Sequence, residues 1–151
     1  MNPSMPSLSE QLHDNLQAQQ QCAEQLLLVL KDEHNALLAS DVAQLERVTQ
    51  AKGEAASRLQ QLGATMNRLR GNQNFDALLA AMPAPARVWK QLRGLAVQCQ
   101  SANKDNAMLL ASRETQLRQT LRALRPADSP ELYGRAGRAG LGLTARRFGA
   151  A

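Results

Sequence analysis

Apolar residues return at alternating steps of four and three along three stretches of the chain. The first runs Leu12, Leu16, Gln19, Ala23, Leu26, Leu30, Glu33, Leu37. The second runs Leu45, Val48, Lys52, Ala55, Leu59, Leu62, Met66, Leu69. The third runs Leu92, Ala96, Cys99, Asn103, Asn106, Leu110, Arg113, Leu117, Thr120, Leu124. That spacing is the seam of a helix in a coiled-coil-like bundle. The punctuation agrees with it. Ser7-Leu8-Ser9-Glu10 has the form of a capping box, so Ser7 or Ser9 starts the first helix. Ser40-Asp41 marks a break, with Asp41 placed to cap the second helix. Gly71-Asn72 ends the second helix, and Gly53 and Gly63 weaken it slightly. Asn74 to Met82 can make a short helical turn. Pro83 and Pro85 then precede a third long helix from about Ala84 to Ala123, with Pro85 suited to its first turn. No Gly lies between Leu95 and Leu124 and no Pro between Val88 and Leu124.

The predicted fold is all-α: an antiparallel, coiled-coil-like bundle of three long helices. The short connection at Ser40-Asp41 makes the first two helices antiparallel neighbours. The helices run up, down and up. The first two have about 30 residues and the last about 40, near 60 Å at 1.5 Å per residue. The last ten or so residues of the third helix then overshoot the first turn. Leu117, Leu121 and Leu124 lack partners within the chain, and an open apolar stripe waits for one. Polar residues interrupt all three seams. With the first and third helices starting level, Glu33, Lys52, Asn103 and Asn106 can share one buried layer, which fixes register rather than forming a site. Trp89 is expected as a core or capping hydrophobe against Leu8 or Leu12.

Composition sharpens this division. Of 151 residues only four are aromatic: Phe75, Trp89, Tyr133 and Phe148. Ala, Leu, Gln and Arg dominate, which favours helix over a β core. Positive charge is placed unevenly. Residues 1–112 hold ten Lys/Arg and ten Asp/Glu, whereas residues 113–151 hold eight Arg and three acids. The segment 126–151 carries five of the nine Gly and few large apolar side chains, namely Leu132, Tyr133, Leu141, Leu143 and Phe148. It cannot bury enough surface to fold alone. Two parts are therefore expected: a helical bundle over 1–125, and a flexible basic tail over 126–151 for partner binding.

Catalytic chemistry finds no footing. Glu10-Gln11-Leu12-His13 matches a di-metal motif once, but Lys31 stands three before His34. A site from His13, Cys22, His34 and Cys99 is conceivable; satisfied histidines and small buried thiols are the plainer reading. No Ser has a credible base, and Gly134, Gly137 and Gly140 lack the dinucleotide spacing and a preceding strand. No enzyme, cofactor or small-molecule substrate is expected. No apolar run of about 18 residues is present, and the polar N-terminus lacks the basic and apolar regions of a signal peptide. With two cysteines and no disulfide framework, the chain reads as cytoplasmic. Arg135, Arg138, Arg146 and Arg147 can meet phosphates, but no nucleic-acid motif surrounds them.

Three features, taken in order, resemble a known family. They are the Leu-rich hairpin LLLVLKDEHNALLASDVAQLERVTQAKGEAASRLQQL, the long-helix segment NKDNAMLL and the tail opening LYGRAGRA. Together they are similar to the FlgN family, the flagellar export chaperones for hook-associated proteins. The resemblance implies a chaperone of flagellar type III secretion. Its partners would be the C-terminal segments of the first and third hook-associated proteins and the cytosolic domain of the export gate. It places client binding in the C-terminal region, where the open stripe Leu117, Leu121 and Leu124 and the tail residues Leu132, Leu141, Leu143 and Phe148 independently offer an apolar surface. It assigns gate docking to the tail tyrosine, here Tyr133. Arg135-Ala136 follows Tyr133-Gly134 where many relatives carry Pro-Asp-like residues, a departure at that turn. Two other readings stand beside this one: a self-associating coiled-coil adaptor, and a basic-tailed nucleic-acid binder. The oligomeric state is left open, a homodimer included.

Overall fold

The computed structural model describes residues 5–125. Among them are four helices and no strand: α1 (Leu8–Ala39), α2 (Val42–Arg70), α3 (Phe75–Ala80) and α4 (Pro83–Leu124). The tail residues Leu132, Tyr133, Leu141, Leu143 and Phe148 lie outside the described residues.

Local chemistry sets each boundary. Ser7 Oγ accepts from the Glu10 amide and Glu10 accepts from the Ser7 amide, each at 3.2 Å, a closed capping box at the start of α1. Ser40 ends α1 in the left-handed region, φ 54°, where glycine is the usual occupant. The amide of Ser40 reaches the Leu37 carbonyl and that of Asp41 the Ala36 carbonyl, so the last turn is closed. Asp41 then turns to the next helix, accepting from the Gln44 amide at 3.1 Å. Gly71, at φ 61°, ends α2. Asn74 caps α3 through the Ala77 amide at 3.1 Å. The first turn of α4 carries Pro83 and Pro85, where a missing amide donor costs nothing.

The packing centre is α1, which lies along both α2 and α4; the backbones of α2 and α4 stand farther apart. All eight seam residues expected on α1 are buried, and a further column, Asn15, Cys22, Val29 and Ala36, is buried beside them. A helix with neighbours on two sides needs that wider face. One core cluster joins Cys22, Leu26 and Leu30 of α1 to Ala55 of α2 and Cys99 of α4. A second joins Leu16 and Ala23 to Val88 and Leu92, with Met66, Trp89 and Leu95 packed against it. The seam of α4 differs from expectation at one place. Ala96 is exposed, and Leu95 packs toward the core in its stead. Trp89 packs against the second core cluster, as expected of a core hydrophobe, and forms an edge-to-face pair with Phe75, ring centroids 4.9 Å apart at 80°. That contact, with Leu78 and Leu79 buried, anchors α3 to the foot of α4.

Candidate partner-binding surface

The surface is defined by where the body of the bundle stops, and a polar layer sets that point. The Lys52 ammonium donates to both Glu33 carboxylate oxygens, at 3.1 and 3.2 Å, and to Asn103 Oδ1 at 2.9 Å. Asn106 Nδ2 donates to Glu33 Oε1 at 2.9 Å and to the Leu30 carbonyl at 2.8 Å. All four side chains are buried. The structure thus brings Glu33, Lys52, Asn103 and Asn106 into one network across three helices. His34 joins it from the outside, with Nδ1 3.2 Å from Asn106 Oδ1. Its position beside Glu33 on a helix gave no hint of this, because the partner comes from α4.

A smaller polar pair escapes the seam pattern. Asn15 donates to the Leu62 carbonyl at 3.0 Å, and Gln19 donates to Asn15 at 2.7 Å. Only Gln19 stands on the seam, and Asn15 belongs to the extra column of α1. The thiols are occupied too. Cys22 donates to the Ala55 carbonyl and Cys99 to the Ala23 carbonyl, each at 3.4 Å. Burial pushes the Cys22 thiol up, partly offset by nearby Arg58. Burial likewise raises Cys99, with a smaller push from Cys22. Among the described residues no three metal-ligating side chains converge.

Above the polar layer, Arg113 donates to the Leu38 carbonyl at 3.1 Å, meeting the C-terminal end of α1 where no basic residue of its own lies. Residues beyond Arg113 therefore run past the α1–α2 turn for about 16 Å of helix. On this overhang Leu117 is 60% exposed, Leu121 39% and Leu124 76%. At its foot the turn adds Leu38, 52% exposed, and Val42, 67% exposed. Thr115 and Thr120 bond back to the carbonyls of Ala111 and Gln116, so the overhang satisfies its own hydroxyls. The arrangement offers an apolar ledge along one side of a single helix.

No helix among the described residues is long and apolar enough to cross a membrane. The family model of the FlgN protein matches residues 1–140. No curated protein and no solved structure matches the chain.

Proposed function

Since the chain belongs to the FlgN family of flagellar export chaperones, we propose that it carries the hook-associated proteins of the hook–filament junction, the first and the third. In this reading it holds their C-terminal segments in the cytoplasm, keeps them fit for export, and delivers them to the cytosolic domain of the export gate. It does so by binding alone, without catalysing a reaction. The observation that supports this is the exposed line Leu117, Leu121, Leu124 on the overhang of α4. An amphipathic or unfolded client segment laid there would complete a four-helix arrangement over that length. Leu132, Leu141, Leu143 and Phe148 of the tail would close over the client, and Tyr133 would meet the gate.

Co-purification tests it. The intact chain should retain the C-terminal segment of either client. A chain lacking residues 126–151, and a Leu117→Ser/Leu121→Ser chain, should both lose it, while helicity per residue of the bundle stays the same. Undiminished capture by both variants rejects the assignment of client binding to this end of the molecule.

A further inference from the structure

The overhang is not symmetrical about its leucines. At 3.6 residues per turn, Leu117, Leu121 and Leu124 lie within about 60° of one another, and Arg118 and Arg125 fall about 80 to 100° to one side. Arg122 follows just beyond on that same side, and Glu114 stands at the foot of this flank, one turn below Arg118. The opposite flank holds Gln116, Gln119, Thr120 and Ala123, with Arg113 at its foot tied to the Leu38 carbonyl. From Gln116 onward the apolar line thus has a basic rail on one side and a neutral one on the other.

We propose that the overhang takes an amphipathic helix from another protein, one whose acidic residues line a single flank of its apolar stripe. The proposal rests on the client-carrier reading and names the chemistry of the client. Charge separates this occupant from the two others at hand. A second copy would bring a second overhang, and residues 113–125 hold four Arg against one Glu. The chain's own segment 126–151 holds four Arg against Asp128 and Glu131. Either would set like charge against like at the rail, whereas an acidic flank meets it with opposite charge. Because only one flank is basic, the side on which a client carries its acids also decides which way it runs along α4.

Fluorescence anisotropy with the full chain tests this, using designed helical peptides that share one leucine stripe. Three versions carry Glu on one flank with Gln on the other, Glu on both flanks, or Lys on both. Two rim ion pairs in the upper half of their usual range give roughly a tenfold change in Kd. The one-flank Glu peptide should bind about as tightly as the two-flank version and about tenfold more tightly than the Lys peptide. The difference should vanish in high salt and reverse in Arg118→Glu/Arg125→Glu. Leu117→Ser/Leu121→Ser should abolish binding of all three. Equal affinities for Glu and Lys peptides overturn the proposal. So does a concentration-dependent dimer in sedimentation that Leu117→Ser dissolves. If the Glu peptide binds at the leucines and neither hook-associated segment does, the client assignment fails and the acidic-helix surface stands. If those segments bind there without regard to peptide charge, the reverse holds.

Discussion

Replacing Lys52 by Met should remove a large fraction of the stability of the bundle. The ammonium now donates to both oxygens of Glu33 and to Asn103, deep between three helices. Without it, Glu33 is left buried with the Asn106 amide as its remaining partner in the network, and Asn103 Oδ1 loses its donor. Stripping one partner from a buried pair costs about 3–5 kcal/mol, because a charge stays behind uncompensated. Against a total of about 5–15 kcal/mol, that leaves little in reserve. With a urea slope of about 1–2 kcal/mol/M, the midpoint should fall by about 1.5 M or more. Circular dichroism at 222 nm in a urea titration reads this directly. The control is Glu33→Leu/Lys52→Met, which removes both charges and should recover at least half of the loss. A Lys52→Met midpoint within about 0.5 M of the parent, at the same slope, would mean that the pair contributes nothing, and the layer's role as a structural lock would go with it. Glu33→Leu alone should leave client capture intact for as long as the chain is folded. Lost capture in a folded variant would make the layer a site.

The geometry fixes four further outcomes. Gly53→Ala and Gly63→Ala in α2, where an added Cβ meets nothing within 4 Å, should each raise stability by about 0.5–1 kcal/mol in the same titration; a loss would show that the helix is strained there. Leu117→Ser should change stability by less than about 0.5 kcal/mol, since the side chain is already in water; a larger drop would place it under cover. Arg113→Ala should speed amide exchange in the last turn of α1, with little change near Cys22; uniform exchange would deny the tie to Leu38. Both thiols are raised by burial, so the unfolded chain ionises first. Stability is then fully present below about pH 8.5 and falls as pH rises toward the folded values. Cys22→Ala/Cys99→Ala should flatten that alkaline decline between pH 7 and 9.5 in urea midpoints, and an unchanged decline would point to other groups.

The helices were legible because their signals are local. A capping box, an Asp cap and a run of leucines each act within one or two turns, and the chain follows them at Ser7, Asp41 and the whole seam of α1. What sequence could not show was which helix lies in the middle. That placement buries Asn15, Cys22, Val29 and Ala36, a column too small or too polar to announce itself. It also decides between Leu95 and Ala96, which differ by one residue and so by about 100° of rotation. The ring partner of Trp89 was hidden for a related reason: Phe75 comes from α3, a helix of only six residues that amounted on paper to a turn. Glu33, Lys52, Asn103 and Asn106 stood out because each breaks an apolar line. His34 did not, because it sits off the seam and is recruited by Asn106.

The polar layer and the overhang are one device, since the first determines the length of the second. Leucine seams tolerate sliding by a heptad, about 10 Å, with one leucine replacing another. A slide that shortens the overhang brings Leu110 and Arg113 to the places of Asn103 and Asn106. Lys52 then loses its Asn103 acceptor, and a second cation enters a pocket holding one carboxylate, Glu33. It also takes Arg113 from the Leu38 carbonyl. A slide that lengthens the overhang brings Ala96 and Cys99 to the layer, and Glu33 loses the amide of Asn106. Each slip leaves a buried charge or a buried polar group poorly matched, which costs more than any seam of leucines can return. The register is therefore held by residues that add little attraction of their own, and Leu117, Leu121 and Leu124 stay outside the body because of them.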